Sequence, residues 1–315
     1  NDDDFDLYLT NWGKNRLYQN DNNTFINIAE NLNLESDSLS NGAGWGDFNN
    51  DGYIDLWSNN FKREDDLFLN PNAINQDWDN SHNPFYLSAT QDVIPVDYNS
   101  DGWLDMFTPG LLMAHENGVE DVYGYKYASL LYKNILSDSL SYINNWLILD
   151  LEGSKIDLSN NGWTTQSNHS AIGARVIIHL SDLQISREII AGKGHGSMDP
   201  LQLHFGLGNN ISINAITIKW PSKDTLTNSQ KIIYYEGPFI VNQKMRIVED
   251  IGFVGLKGDV NYDESVNVID IINIVHSILN EFPIDAEYLW AGDMDFTSEL
   301  NVNDIIKLVS FIFLP

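Results

Sequence analysis

One acidic loop occurs twice in this chain, and it constrains the possible folds more than any other feature. The first copy runs from Asp47 to Asp55 and the second from Asp97 to Asp105. Both place oxygen-bearing side chains at positions 1, 3, 5 and 9 and a glycine, which permits a sharp turn, at position 6. An exposed turn rich in Asn, Asp and Gly is the alternative. Because calcium takes six to eight oxygen ligands and the two copies share one spacing, we predict a Ca²⁺ site in each loop.

An incomplete third copy lies at the N-terminus. Residues Asp2 to Asp6 align with the second half of each complete loop, with Asp3 at the glycine position. Positions 1 and 3 of this copy would precede residue 1, so we expect the chain to begin inside a repeat of a longer precursor. Position 7 of each complete loop offers its backbone carbonyl, whatever its side chain. The predicted calcium ligands of the repeats are Asp2, Asp4, Asp6, Asp47, Asn49, Asp51, Tyr53, Asp55, Asp97, Asn99, Asp101, Trp103 and Asp105.

The loops belong to a longer repeat. The last aspartates of the three copies, Asp6, Asp55 and Asp105, lie 49 and 50 residues apart. Periods of about 40–50 residues are typical of propeller blades. Each copy continues into an apolar run and then into a second predicted strand that ends in Asn. We therefore predict blades of a β-propeller over residues 1–134.

Composition limits the class of protein and its partners. The chain has 315 residues and 43% hydrophobic content, enough for two or three domains with real cores. Its net charge of −28 disfavours nucleic acid and anionic membranes as partners, and no apolar run approaches a membrane span. The absence of cysteine excludes disulfides, thiolate zinc and a cysteine nucleophile. Calcium is abundant outside cells, so the loops indicate a secreted or cell-surface protein.

The middle region, residues 135–250, has the alternation of apolar and polar residues that is typical of β-strands. The predicted strands span residues 146–151, 174–180, 184–190, 201–205 and 215–220. Ser181 and Asp182 are expected to close a hairpin, and we predict a compact antiparallel β module. Three glycines then predict a flexible connection to the last region; they are Gly252, Gly255 and Gly258.

The last region, residues 251–315, contains two loops of a second type. Oxygen ligands fall at positions 1, 3, 5, 9 and 12, with a backbone carbonyl at position 7, which is EF-hand spacing. Position 6 is Glu264 in one loop and Ser298 in the other, where Gly is usual. Thr297 removes a carboxylate from the second site, which is therefore expected to bind calcium more weakly. The predicted ligands are Asp259, Asn261, Asp263, Ser265, Asn267, Asp270, Asp293, Asp295, Thr297, Glu299, Asn301 and Asp304.

Each of these C-terminal loops runs into a predicted apolar helix, over residues 268–280 and 302–314. The apolar residues lie on nearly all sides of both helices. Two short helices cannot bury all of these faces against each other, so we expect a further partner surface.

Three sets of segments resemble known families. The segments 15–20, 24–30 and 44–52 resemble the FG-GAP/VCBS repeats of ASPIC/UnbV proteins, the cartilage acidic protein 1-like family. The segments 172–175, 204–208 and 218–222 resemble the UnbV module that follows such repeats. The loop-then-helix unit, present twice in residues 251–315, resembles a type I dockerin.

These resemblances imply a mainly β protein. The expected order is a partial β-propeller, a β-sandwich-like UnbV module and a small α-helical, dockerin-like calcium-binding module. They further imply a bacterial origin and a cohesin-like partner for the helices. The protein's own β module is the alternative partner, and a glycan or protein ligand is expected on the propeller.

No catalytic constellation stands out. Nearly all clustered acids have metal-ligand spacing, where calcium would keep them ionised, whereas a general acid needs a raised pKa. The histidines are scattered, and the segment Gly192–Ser197 fits neither a phosphate loop nor a nucleophile elbow. Core packing is favoured over a sugar-binding platform for the tryptophans Trp12, Trp45, Trp57, Trp78, Trp103 and Trp163.

The sequence therefore predicts an extracellular, calcium-dependent, non-catalytic binding or adhesion protein whose C-terminus mediates docking. Two alternatives stay open. One is a polysaccharide-targeting accessory module of a secreted hydrolase system, and the other is a structural subunit of a cell-surface assembly.

Overall fold

The computed structural model describes most of the chain and is mainly β. The described residues are 5–60, 65–71, 91–110, 129–136, 143–154, 167–194, 196–224, 227, 229–250, 252–260, 265–279, 291–294 and 299–313. The fold class expected from the sequence is confirmed: blade-like sheets come first, a β-sandwich follows and two helices lie at the C-terminal end.

The first region forms small antiparallel sheets. Its strands are β1 (Leu7–Leu9), β2 (Trp12–Lys14), β3 (Arg16–Asp21), β4 (Thr24–Asn27), β5 (Asp37–Leu39), β6 (Ala43–Gly46), β7 (Asp55–Ser58), β8 (Asp66–Phe68), β9 (Ile94–Val96), β10 (Asp105–Thr108) and β11 (Leu130–Tyr132), with a short 3-10 helix at Glu30–Leu32. Strands β1, β3 and β4 form one sheet, β6 to β8 a second and β9 to β11 a third, while β2 pairs with β5.

The repeat seen in the sequence is a repeat of hairpins. Strand β7 pairs with β8 as β10 pairs with β11 and β1 pairs with β3, and all three pairs are antiparallel. Each complete acidic loop joins two paired strands, β6 to β7 and β9 to β10. Leu56 and Phe68 are buried in the core of the first repeats, and Trp57 and Met106 in the core of the next. The predicted blades are therefore present, and their hairpins hold the acidic loops at one end.

The middle region is a sandwich of two four-stranded sheets. Its strands are β12 (Asn145–Glu152), β13 (Arg175–His179), β14 (Gln184–Glu188), β15 (Leu203–Gly208), β16 (Ser212–Lys223), β17 (Gln230–Ile240), β18 (Gln243–Val248) and β19 (Gly252–Leu256). One sheet has the order β15-β12-β18-β19 and the other β14-β13-β16-β17. Trp220 and Phe205 lie fully buried between the sheets. The five predicted strands and the hairpin at Ser181 and Asp182 are confirmed.

Two expectations for this region were wrong. The module is not wholly antiparallel, because β12 and β18 pair in parallel. A pair so distant in sequence leaves no mark on local periodicity. The glycine-spaced segment after residue 250 is not a flexible connection but strand β19, which pairs with β18. Phe253 secures this strand, since its ring centroid lies 4.8 Å from that of Tyr235 and 5.2 Å from that of Phe239.

The C-terminal region contains two helices in the described residues, α1 (Val268–Ile278) and α2 (Val302–Phe313). The predicted helices are confirmed, with ends one or two residues earlier than expected. Ile274 and Leu308 are fully buried where the helices meet. Neither helix is long and apolar enough to cross a membrane.

Most of the predicted tryptophan burial is confirmed where it can be seen. Trp57 and Trp103 are about 5% exposed and Trp45 is half-buried. Trp12 departs from the expectation, since it is 75% exposed and its Nε1 donates a hydrogen bond to Asn41 Oδ1 at 3.2 Å. Trp78 and Trp163 lie outside the described residues.

Candidate calcium loops beneath the sandwich module

The first acidic loop is folded around its own carboxylates. Asp47 accepts hydrogen bonds from the backbone N–H groups of Asp51 at 3.0 Å and Gly52 at 2.8 Å. Asp51 Oδ1 accepts the N–H of Tyr53 at 2.9 Å, and Asp51 Oδ2 accepts Asn49 Nδ2 at 3.0 Å. The predicted ligands at positions 1, 3 and 5 are therefore brought together by the loop itself.

The second loop repeats these contacts. Asp97 accepts the N–H groups of Asp101 at 3.1 Å and Gly102 at 2.9 Å. Asp101 Oδ1 accepts the N–H of Trp103 at 2.9 Å, and Asp101 Oδ2 accepts Asn99 Nδ2 at 2.8 Å. The predicted role of the position-6 glycine is confirmed, since Gly52 has a φ of +97° and Gly102 a φ of +83°.

The aspartate at position 9 also accepts a hydrogen bond from outside its loop, which the sequence did not predict. Asp55 accepts the N–H of Phe48 and the N–H of Asn70, both at 2.9 Å, so it ties its loop to the end of the next strand. Asp105 accepts the N–H of Asn134 at 2.7 Å in the same way. The Asn side chains add a second tie in the two complete repeats, since Asn70 Nδ2 donates to the Ile54 carbonyl at 3.2 Å and Asn134 Nδ2 to the Leu104 carbonyl at 3.0 Å, which explains why these strands end in Asn.

The incomplete N-terminal copy keeps this contact. Asp6 accepts the N–H of Asn20 at 2.8 Å, although the loop before it is incomplete. Asp2 and Asp4, the other predicted ligands of this copy, lie outside the described residues. Asp6 therefore holds the end of its hairpin in the same way as Asp55 and Asp105 hold theirs.

The electrostatics of the first loop favour a bound cation. Burial, opposed by the charge of Arg187 and aided by that of Asp51, raises the pKa of Asp47 to about 7. Burial, followed by the charge of Asp47, raises the pKa of Asp55 to about 8. Carboxylates with such raised pKa values are poorly compensated when ionised, and a divalent cation would remove that cost.

The carboxylates of the second loop also have raised pKa values, but this loop is more exposed to solvent. Burial raises the pKa of Asp97 to about 6, and it raises the pKa of Asp105 as well. Tyr98, Asn99 and Ser100 are exposed, whereas the equivalent residues of the first loop are buried or half-buried.

The donor set of each loop fits calcium, although the carboxylates do not converge on one point. Within the described residues, no group of three or more His, Cys, Asp or Glu side chains has an arrangement that could hold a metal ion. The carboxylates of both loops instead accept backbone N–H groups. Each oxygen keeps a second lone pair for a metal, and each loop offers only oxygen ligands, as calcium requires.

The sandwich module covers both loops, a contact that the sequence gave no sign of. At the first loop, the Asn50 carbonyl accepts the N–H of Gly208 at 2.8 Å, and the Asn49 carbonyl accepts Asn144 Nδ2 at 2.9 Å. At the second loop, the Gly102 carbonyl accepts His204 Nε2 at 2.9 Å. The backbones of the repeats and the module are therefore bonded directly to each other.

Glycines make this close approach possible. A Cβ atom on Gly206 would lie 2.1 Å from Asp47 Oδ2 and 2.5 Å from the Cα of Asn50. A Cβ atom on Gly102 would lie 1.9 Å from a ring atom of Trp146. No larger residue fits at either position unless the module moves away from the loops.

The segment Gly192–Ser197 also belongs to this contact. The Ser197 hydroxyl donates a hydrogen bond to Asp92, which is buried beside the third sheet, and Lys193 pairs with Asp199. Gly192, Gly194 and Gly196 have positive φ angles, as expected for a glycine-rich turn. The turn therefore anchors the module on the repeats.

The C-terminal loops are described only in part. Asn261, Asp263, Asp295 and Thr297 lie outside the described residues. Positions 9 and 12 of both loops act as helix caps: Asn267 Oδ1 accepts the N–H of Ile269, and the N–H of Asn267 donates to Asp270 Oδ2, both at 2.8 Å. The second loop has the same pair of bonds at 2.8 Å, made by Asn301 and Asp304. Both position-12 aspartates are fully buried.

Comparison with known proteins bears on the first two regions. Residues 1–58 match a family described as FG-GAP-like repeat, and residues 164–249 match one described as ASPIC and UnbV. A search of curated proteins finds no match. The first span contains the first complete acidic loop, and the second contains most of the module that covers it. The chain therefore carries an FG-GAP-like repeat followed by an ASPIC and UnbV domain.

Proposed function

We propose that this chain is an extracellular, calcium-dependent, non-catalytic binding or adhesion protein. FG-GAP-like repeats and ASPIC and UnbV domains fit an extracellular binding or adhesion protein. The observation that carries the proposal is an oxygen-only acidic loop buried beneath a second domain, with an equivalent but more open loop beside it. Asp47 and Asp55 are about 1% exposed or less, so their charges need a counterion that the fold must hold in place.

In this proposal the carboxylates of the two acidic loops form the ion-binding sites. Asp47, Asp51 and Asp55 would hold one ion, and Asp97, Asp101 and Asp105 a second. Calcium would supply positive charge and a cross-link between the two ends of each loop. The position-9 aspartates, Asp55 and Asp105, would then hold the end of the following strand in place, because they accept the N–H groups of Asn70 and Asn134. The result is a preorganised surface, which lowers the entropic cost of binding a partner.

Counting bound metal tests the calcium proposal directly. After dialysis against calcium, we expect about four bound ions, one for each complete loop. Asp105→Asn should remove one ion, because Asn lacks the charge of the position-9 ligand, whereas Asp21→Asn at an exposed site should remove none. Atomic emission of the dialysed protein measures the count. A metal-free wild-type protein would contradict the proposal.

The C-terminal helices support a docking role as a second candidate function. Three apolar side chains of α1 and its C-cap residue Leu279 are exposed, as are four of α2. Three pairs of these residues are 34 positions apart: Val268 with Val302, Ile272 with Ile306, and Leu279 with Phe313. Two equivalent apolar faces on one small unit are what a docking surface needs. The proposed partner is a cohesin-like domain, and the protein's own β module is the alternative.

Adding charge to these faces tests the docking role. We expect the double variant Ile272→Lys, Ile306→Lys to bind cohesin domains about 100-fold more weakly or worse, since each change buries a charge in an apolar contact. Isothermal titration with purified cohesin domains measures this. Asn303→Lys is the control for an added lysine, because it places one positive charge at an exposed polar position of α2. If no cohesin domain binds the wild type, docking in trans to this class of partner is wrong.

A further inference from the structure

We infer that the outer faces of the first and third sheets of the repeat region bind each other between two copies of this chain. Each copy would then supply its sheets to one closed ring. The inference goes beyond the proposed binding function, because it depends neither on bound calcium nor on docking of the C-terminal helices.

The first sheet packs on the second through two cross-strand pairs. Tyr8 and Leu17 of the first sheet lie in one hydrophobic cluster with Leu56 and Phe68 of the second. The ring centroids of Tyr8 and Trp45 are 6.0 Å apart across the same contact. Tyr8 is directly opposite Leu17, and Leu56 is directly opposite Phe68, so the members of each pair share one face of their sheet. One face of the first sheet therefore covers one face of the second.

The second sheet packs on the third in the same way. Trp57 and Leu67, a pair on the other face of the second sheet, lie in one cluster with Met106 and Tyr132 of the third. The ring centroids of Trp57 and Tyr132 are 5.3 Å apart. In both contacts the paired residues occupy the same positions of the repeat. Each sheet therefore has a covering face, which packs on the next sheet, and a receiving face, which the preceding sheet covers.

Two of these faces are open in the described part of the chain. The receiving face of the first sheet carries the pair Leu7 and Tyr18, and Leu7 is 51% exposed, whereas its equivalent in the second sheet is fully buried. The covering face of the third sheet carries the pair Phe107 and Leu131, and Leu131 is 52% exposed, whereas its equivalent in the first sheet is buried. Apolar residues exposed at positions that the repeat elsewhere buries indicate a contact surface.

The two open faces match each other. One is a receiving face and the other a covering face, so a contact between two copies would repeat the packing that each copy already contains twice. A second copy is therefore the partner that this surface fits. Such a head-to-tail contact can close into a ring, and propellers typically have about four to eight blades. Two copies would together supply six three-stranded sheets, which lies within that range.

Self-association of the full chain in calcium-containing buffer tests the inference. Sedimentation equilibrium should detect a species with twice the mass of the 35.7-kDa chain, which dissociates on dilution. Leu7→Lys on the receiving face and Leu131→Lys on the covering face should each weaken association by roughly 100-fold or more, because each would bury a charge in an apolar contact. Mixing the two variants should restore a dimer, because each keeps the face that the other lacks. This dimer should form only at higher concentration than the wild type needs, since one of its two contacts is lost.

Two controls should dimerise as the wild type does. Ile232→Lys adds the same charge at an exposed apolar position of β17 in the module. The double variant Ile272→Lys, Ile306→Lys excludes association through the C-terminal helices.

Three results would overturn the inference: a wild type that stays monomeric, single variants that associate as the wild type does, or a mixture of the two variants that stays monomeric. A monomeric wild type would leave the two faces to sheets of a different chain. Circular dichroism checks that the variants are folded. If one is not, Leu9→Lys on the receiving face or Leu131→Ser on the covering face replaces it, since both side chains are exposed.

Discussion

Calcium is expected to raise the free energy of unfolding of this chain by about 5 kcal/mol over the chelated protein. A site filled at 100 times its Kd contributes about 2.7 kcal/mol, and the two acidic loops of the repeats contribute together to the unfolding of that region. The physical reason lies in the contacts around Asp55, where one carboxylate holds the loop and the next strand at once. Calcium would stabilise the ionised form of that carboxylate in a place that water does not reach.

Urea unfolding in calcium and in chelator measures the effect. Asp55→Asn should lose about half of the calcium-dependent stabilisation, roughly 2.7 kcal/mol, because only the second loop still responds. Asp21→Asn is the control, since Asp21 is exposed and stands outside both loops. Equal stability of the wild type in calcium and in chelator would contradict the prediction and would leave the loops as hydrogen-bonded turns.

Replacing Glu249 by Gln is expected to destabilise the sandwich module by about 3 kcal/mol. Glu249 is fully buried, and its Oε2 accepts hydrogen bonds from Ser154 Oγ at 3.0 Å and from the N–H of Ser167 at 3.0 Å. Its Oε1 accepts the Ser222 hydroxyl and Lys231 Nζ. The carboxylate thereby joins strands from both sheets. Gln would place an N–H₂ group where two or more donors already point.

The same residue predicts a pH dependence. Burial alone would raise the pKa of Glu249, but the hydrogen bonds from Ser222, Ser167 and Ser154 outweigh burial and lower it from 4.5 to about 2. A lowered pKa in the folded state means that the contribution is complete above pH 4.5 and is lost as the pH falls toward 2. The shift corresponds to about 3 kcal/mol.

Urea unfolding between pH 2 and pH 7 checks both statements about Glu249. The difference between the wild type and Glu249→Gln should shrink steadily below pH 4.5. Glu236→Gln serves as the control, because Glu236 is exposed on β17 and should change stability by no more than about 0.5 kcal/mol. A difference that stays constant down to pH 2 would assign the cost to packing rather than to charge.

Local patterns predicted the parts of this molecule that depend on local geometry. The positive φ of Gly52 and Gly102 follows from the turn that their loops must make. The strands of the module follow from alternation, and the two helices follow from apolar runs directly after the C-terminal loops. In each case a few neighbouring residues contain all of the information.

The rest depends on residues far apart in sequence. The parallel pairing of β12 with β18 and the buried contacts of Glu249 join segments more than 80 residues apart. The module can cover the acidic loops because Gly206 faces the first loop and Gly102 faces Trp146, and in both cases the partner comes from another region of the chain. No periodicity marks such sites, so the hydrogen-bond partners of the loops were beyond prediction from the sequence.

The unequal cover over the two loops has a kinetic consequence. Asn50 of the first loop lies buried beneath the module, whereas Ser100, its counterpart in the second loop, faces solvent. An ion in the second loop would exchange with the medium directly, whereas one in the first would exchange more slowly, because the module lies over part of that loop. Ion exchange at the first site would then be slow and would speed up when the two domains separate. Ion exchange at the second site would be fast, so its occupancy would follow the surrounding calcium concentration.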